Sequence, residues 1–236
     1  MINQGISSSV EAMTTQSRRL DAITSNIANV STPGYKRRTT AIHGFDVMTR
    51  GQHAPRMQPA ISSTVDFSQG LLKQTGRDLD IALQGDGFLV VEGPNGELLS
   101  RGGTLRLDEN GTLQDASGHA VAWEGPRARI EPNAEPVTID ESGLVFQGGT
   151  QLGQLSVVDI PARDRLQPRS GGYWYADPAL QRESSDAQVI QGALEGANSS
   201  AVDELIELVR VQRQFESATR LMTTIDASYQ RLNRGR

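Results

Sequence analysis

The feature that most restricts the fold is a pair of apolar seams at opposite ends of a 236-residue chain. Ile6, Met13, Leu20 and Ile27 recur every seven residues. Ile2, Ile23 and Val30 lie on a second seven-spaced row, with Ser9 and Gln16 as polar gaps. Two such rows, three or four residues apart, line one face of a helix. At the other end Leu208, Phe215, Met222 and Tyr229 repeat at the same interval, as do Val211, Ala218, Ile225 and Leu232. Neither glycine nor proline interrupts residues 201–233, so an a/d pattern runs for more than three heptads. The simplest way to bury both seams is against each other, with the intervening chain looped out.

Local signals set the ends of these helices. Pro33 disfavours helical geometry at Thr32, and Pro33-Gly34 is a turn signal, so the first helix stops near Ser31. Ser200, with Asp203 three residues on, resembles a capping box at the start of the second. Between them the period changes. Short apolar runs such as Ile81-Ala82-Leu83, Phe88-Leu89-Val90-Val91, Val137-Thr138-Ile139 and Leu144-Val145-Phe146 alternate with Asn95-Gly96, Asn110-Gly111, Ser117-Gly118 and Ser142-Gly143. Such spacing signals hairpins. Residues 35–75 are polar with little periodicity.

The chain is therefore expected to divide into four parts. An N-terminal helix at 1–34 pairs with the C-terminal helix. An extended connector follows at 35–75 and a β domain at 76–190. A C-terminal helical segment occupies 191–236. The expected fold class is α+β: terminal N- and C-helices forming a coiled-coil-like domain, with a mostly antiparallel β domain inserted between them.

Composition then excludes functions. Hydrophobic residues are 36% of the chain, a thin supply for a core, so part of the apolar surface is expected to need a partner. A net charge of −5 argues against nucleic acid as the main ligand. The absence of cysteine excludes disulfides, thiolate metal sites and a cysteine nucleophile. His43, His53 and His119 form no H-x-x-x-H pattern and have no recognisable nucleophile arrangement around them. Gly85-Asp86-Gly87 lacks the spacing of a phosphate loop. Asp78, Asp80 and Asp86 lack that of a twelve-residue calcium loop. No catalytic, cofactor or metal residues are expected, no small-molecule substrate, and no enzymatic activity. No apolar run approaches the ~18 residues of a membrane span, and no signal peptide is visible.

Two polar features remain. Asn26 and Asn29 sit on or beside the first seam. A buried amide must find hydrogen bonds, so they are expected to bridge to an adjacent helix or to satisfy the chain end before the turn. The basic run Tyr35-Lys36-Arg37-Arg38 either meets acidic groups on a neighbour or an anionic surface, or is a solvated turn flank.

Three stretches resemble one known family, in order along the chain. Asn26-Ile27-Ala28-Asn29 followed by Ser31-Thr32-Pro33-Gly34-Tyr35-Lys36 is similar to the N-terminal motif of bacterial flagellar rod and hook proteins. Leu79-Asp80-Ile81-Ala82-Leu83-Gln84-Gly85-Asp86-Gly87-Phe88 looks like the start of their β domain. Gln191-Gly192-Ala193-Leu194-Glu195-Gly196-Ala197-Asn198, with Gln212-Arg213-Gln214-Phe215-Glu216 beyond it, is similar to their C-terminal segment. Within this family Leu79–Leu83 and the short connector favour the FlgF type over the FlgG type. Ala197 and Ser199-Ser200 depart from the family pattern.

The resemblance implies a structural subunit of the basal-body rod, assembling through its terminal helices into the axial drive shaft. It implies that Asn26, Asn29, Pro33, Gly34, Tyr35, Gly85, Gly87, Phe88, Glu195 and Asn198 carry the family motifs. The helix–helix and subunit interface is expected at Ile6, Met13, Leu20, Ile23 and Ile27 with Leu208, Phe215, Met222 and Ile225. Expected partners are other rod and hook proteins, copies of the chain itself and the flagellar type III export apparatus. Expected localisation is the periplasm-spanning rod, reached without a cleaved signal peptide. The alternative is a soluble coiled-coil adaptor carrying a β-type binding module.

Overall fold

The computed structural model describes residues 2–47, 56–132, 134–177, 179–180 and 182–234. Side-chain environments at 2–12, 41–61, 183–184, 221–222 and 225–234 lie outside that description. The chain separates into two units. One comprises 1–29, 37–66 and 199–236; the other comprises 30–36 and 67–198.

The first unit holds α1 (Ile2–Ala28) and α2 (Ala201–Arg234). It also holds a two-stranded antiparallel sheet of β1 (Arg38–Val47) and β2 (Arg56–Val65), registered from Arg38 opposite Val65 to Val47 opposite Arg56. Thus the stretch read as a connector contains ten-residue strands. The start of α2 is capped by Ser200: its Oγ accepts the Asp203 N–H at 3.4 Å and its carbonyl accepts the Glu204 N–H at 3.0 Å. Gln16 Nε2 on α1 donates to Gln214 Oε1 on α2 at 3.2 Å.

The second unit is built from antiparallel strands around one core. It begins with β3 (Leu72–Gln74), β4 (Asp80–Gln84), β5 (Phe88–Gly93), β6 (Gly96–Ser100) and β7 (Gly102–Thr104). β4 lies between β7 and the strand Gln188–Gln191, and β3 pairs with Ala193–Glu195. β5 and β6 form a hairpin closed at Gly93 opposite Gly96, where Pro94-Asn95 makes the turn. The core contains Ile81, Leu83, Leu89, Val91, Leu105, Leu113, Val121, Val137, Val145, Leu155 and Val189. Most come from the apolar runs seen in sequence, because period-2 alternation places them on inner faces.

The expected α+β class with a coiled-coil-like terminal domain is overturned. Among the described residues there are two α-helices against twenty strands, so the molecule is mostly β. α1 is also short, 27 residues against 34 for α2, and a hairpin shares its unit. The physical reason lies in which face of α1 is deepest. Thr15, Ala22, Ile23 and Asn26 are buried, whereas Met13, Leu20 and Ile27 are only half-buried. Thr15, Ala22 and Asn26 are small or polar, and the Asn26 amide binds the first residue of β1 rather than a second helix. The Met13, Leu20 and Ile27 row therefore does not mark the most buried line, although Ile23 of the second row lies on it.

Candidate functional site

Sequence-distant motifs converge on one buried charged cluster in the β unit. Lys36 follows the Pro33-Gly34 turn, Arg101 sits between β6 and β7, and Glu195 ends the strand paired with β3. Their side chains are 1%, 5% and 1% exposed. Glu195 Oε1 accepts from Lys36 Nζ at 2.7 Å and from the Gly70 N–H at 2.9 Å, while Oε2 accepts from Arg101 Nε at 2.9 Å. Lys36 Nζ also donates to the Ser68 carbonyl at 2.8 Å. Arg101 uses its remaining nitrogens on the carbonyls of Gly87 and, at 3.2 Å, Leu83. Charges removed from water are tolerated only when paired and hydrogen-bonded in this way.

Backbone contacts extend the cluster. The Gly34 N–H donates to the Glu195 carbonyl at 2.8 Å, and the Asn198 N–H donates to the Tyr35 carbonyl at 3.4 Å. Asn198 Nδ2 reaches the Ser68 carbonyl at 3.0 Å. Two glycines are required here. Gly34 has φ +69°, and a Cβ there would lie 3.2 Å from Arg101 Cβ. A Cβ on Gly70 would lie 2.0 Å from the Gly196 carbonyl oxygen. Phe88 closes one side, edge-on to Phe67 at 5.9 Å and 6.0 Å from the Arg101 guanidinium.

The cluster thus fastens together three segments, 34–36, 68–70 and 195–198, each adjacent in sequence to a passage between the units. The corresponding chain in the helical unit is held too. Asn26, almost wholly buried, accepts the Arg38 N–H at its Oδ1 and donates from Nδ2 to the Arg38 carbonyl, each at 2.9 Å. Asn29 Nδ2 donates to the Ser25 carbonyl at 2.8 Å, closing the end of α1. Arg37 pairs with the fully buried Glu204 of α2. The Asp66 N–H donates to the Arg37 carbonyl at 2.9 Å.

Of the residues singled out in sequence, Gly34, Tyr35, Gly87, Phe88, Glu195 and Asn198 belong to this cluster or border it. Pro33 is exposed in the turn, and Gly85 occupies the turn between β4 and β5. In the helical unit Ile23 is buried, and Leu208 and Phe215 are half-buried. The side chains of Ile6, Met222 and Ile225 lie outside the described residues. The basic run 35–38 meets acidic groups of its own chain: Lys36 meets Glu195, and Arg37 meets Glu204. Sequence reasoning missed Arg101, Gly70 and Glu204. Of these Glu204 left a trace, since it stands seven residues before Val211 as a charge in an apolar row.

Elsewhere in the β unit, Asp115 and Asp140 serve turns. Asp115 Oδ1 accepts the N–H groups of Ser117 and His119, and Oδ2 faces His119 Nδ1 at 3.1 Å and the Tyr173 hydroxyl at 2.6 Å. Burial, together with donation to Asp115, pushes the Tyr173 phenol up to about 12. The Arg163 hydrogen bond to exposed Asp86 holds that carboxyl below its usual range. A cleft of about 360 Å³ in the β unit carries Glu124, Glu141 and Asp186 on its walls. Among the described residues no group of three or more His, Cys, Asp or Glu is placed to hold a metal ion. None of the helices described is long and apolar enough to cross a membrane.

These features define a class: a β unit flanked in sequence by helical chain ends, whose buried charges hold backbone segments in place. Comparison with known proteins gives the particular family. Residues 6–36 match the family model described as flagella basal body rod protein. Residues 82–147 match the flagellar hook protein FlgE/F/G D1 domain, and 190–235 the flagellar basal body rod FlgEFG protein C-terminal. The chain is 32% identical to the flagellar basal-body rod protein FlgF of Caulobacter vibrioides, over 87% of this chain and 86% of that one. It is 31% identical to FlgG of Agrobacterium fabrum, over 91% and 92%, and 29% identical to FlgG of Bacillus subtilis, over 95% and 96%. The chain belongs to the FlgF/FlgG type of the flagellar basal-body rod proteins and is a structural subunit of the rod.

Proposed function

We propose that this rod subunit works by assembly alone, without catalysis, cofactor or small-molecule substrate. Its helical unit joins other rod and hook proteins and copies of itself into the axial shaft, and the β unit gives each subunit a rigid body. The assembly seam is formed by Ile6, Met13, Leu20, Ile23 and Ile27 together with Leu208, Phe215, Met222 and Ile225. In function the chain divides at 1–34, 35–75, 76–190 and 191–236, with β1 and β2 of the second part belonging to the helical unit and Lys36, Gly70 and Glu195 to the β unit. Export proceeds through the flagellar type III apparatus.

The observation that carries this reading is the Lys36–Glu195–Arg101 cluster. It commits buried charge to fixing backbone segments beside the passages between units, a structural use of charge. Within the family we assign the FlgF type. The alignment to the Agrobacterium FlgG runs to 244 positions, against 219 for the Caulobacter FlgF, although both cover similar shares of this chain, 91% and 87%. The FlgG alignment thus opens more gaps.

The test is Phe215→Ala. Truncating a half-buried aromatic on the seam is expected to abolish incorporation into basal bodies, scored by motility and by rod content, while the β unit stays folded. Normal rods and normal motility in that variant refute the assembly reading.

A further inference from the structure

The chain contains two Asn-Gly steps, Asn95-Gly96 and Asn110-Gly111, and both stand in turns. As hairpin signals they are alike, but the fold makes them chemically different. Asn95 is exposed at the tip of the β5–β6 hairpin, and among the described residues its side chain makes no hydrogen bond. At Gly96, with φ +114°, nothing lies within 4 Å of the place a Cβ would take. Gly111 is pinned instead. Its N–H donates to the Asp108 carbonyl at 3.0 Å, and the place of its missing Cβ lies 2.0 Å from the Ile130 carbonyl oxygen. The Asn110 N–H is tied as well, to Asp108 Oδ1 at 2.9 Å.

From this contrast we infer that Asn95 is a site of spontaneous deamidation and that the fold spares Asn110. The Gly96 amide nitrogen, on losing its proton to hydroxide or a buffer base, attacks Asn95 Cγ. A C–N bond forms, the bond from Cγ to Nδ2 breaks, and Nδ2 takes up a proton and leaves as ammonia. Water then opens the five-membered imide at either carbonyl, which puts aspartate or isoaspartate at position 95. Nothing is oxidised or reduced. The attack requires the backbone at Asn95 to rotate until the next nitrogen reaches Cγ. Glycine at 96 sets no Cβ in the way, and an exposed turn is where local opening costs least. At Asn110 the attacking nitrogen must first give up its hydrogen bond to Asp108. The product at 95 matters to the hairpin. Glu92 and Glu97 already face each other across β5 and β6, a like-charge pair, and Arg182 pairs with Glu97. Aspartate adds a third carboxylate at the same end. Isoaspartate adds a carbon to the main chain of a two-residue turn, which no longer matches the geometry that sets Gly93 opposite Gly96.

The experiment holds the purified full-length protein in mildly alkaline buffer and samples it over time. Peptides are read by mass spectrometry for the change from amide to acid, and isoaspartate is scored by enzymatic methyl labelling. A parallel sample is kept unfolded in guanidinium chloride. In the folded protein Asn95 is expected to convert while Asn110 lags about tenfold or more, the worth of one backbone hydrogen bond added to the barrier. In guanidinium chloride the two are expected to convert at similar rates. Asn95→Gln is expected to remove the signal from that peptide and leave the slow one at Asn110 unchanged. Conversion at Asn110 that equals or exceeds conversion at Asn95 in the folded protein overturns the inference. So does an Asn95 that stays intact while the unfolded chain is converted, since the hairpin then protects it. A lag at Asn110 that persists in guanidinium chloride overturns it too, because flanking sequence and not the fold is then what selects the site.

Discussion

Replacing Glu195 by Gln keeps the shape of the side chain and removes one charge from the buried cluster. In the native protein two cations and one anion share the site, with Lys36 and Glu195 each 1% exposed and Arg101 5% exposed. The variant leaves Lys36 and Arg101 facing each other across a neutral amide. The amide oxygen can accept from Lys36 Nζ and the Gly70 N–H, but the NH₂ group then confronts Arg101 Nε, donor against donor. Removing one partner of a buried ion pair costs about 3–5 kcal/mol. For a chain of this size each kcal/mol lowers the midpoint by about 2–4 °C, so a fall of roughly 6–20 °C is expected. Trp123 and Trp174 both lie in the β unit, so tryptophan fluorescence during urea or thermal unfolding reports the right part of the molecule. Buried pairs are poorly screened, so the loss should persist in high salt. The double variant Lys36→Met with Glu195→Gln should lose less than the sum of the singles. A loss under about 1 kcal/mol for Glu195→Gln would mean that the cluster is wet, and the argument from burial would fail.

Asn26→Ala leaves the Arg38 N–H and carbonyl without their side-chain partner and should cost about 1–3 kcal/mol, read as faster amide exchange at Arg38; unchanged exchange there would refute the assignment. Gly70→Ala drives a Cβ against the Gly196 carbonyl and should cost roughly 3 kcal/mol, measured by urea unfolding. With its phenol at about 12 when folded and near 10 when unfolded, Tyr173 contributes stability that is complete below about pH 10 and lost as pH rises through about 12. Tyr173→Phe should therefore be less stable than wild type at pH 8, with the gap closing across that window in alkaline unfolding; a gap independent of pH would contradict the Tyr173–Asp115 hydrogen bond.

The β unit was the more legible part, because its signals are local. Ile81, Leu83, Leu89, Val91, Val137 and Val145 alternate within short runs, and each lies in the core. Residues 35–75 hid a hairpin. Neither strand shows clean alternation, and Gly44 and Pro59, two poor strand formers, stand opposite each other in its register. The charged cluster was half visible. Glu195, Gly34, Tyr35 and Asn198 were found through a family likeness, while Lys36 read as one basic residue among several. Arg101 had no pattern around it, since its role depends on Glu195, ninety-four positions away. On α1 the repeat of Met13, Leu20 and Ile27 pointed to a helical partner. The buried positions are Thr15, Ala22, Ile23 and Asn26, of which only Ile23 belongs to the repeat, and no hydropathy count finds a buried asparagine that binds backbone.

The two units differ in how far one chain satisfies them, and that difference bears on assembly. In the β unit the apolar runs close on a shared core, and the Lys36–Glu195–Arg101 charges find partners within the unit. Among its described residues Leu71 is the one large apolar side chain left exposed. In the helical unit the inner face of α2 is used and the outer face is not. A chain with 36% hydrophobic residues has few to leave in water, yet Val202, Leu205, Ile206 and Val209 stand together on two turns of one helix. Stability gained on association is linked to partner concentration, and the helical unit is where that linkage has surface left to act. Rising protein concentration should therefore slow amide exchange in residues 201–220 and leave the β4–β5 core unaffected. Equal protection of both at every concentration would mean that the helical unit is complete in a single chain.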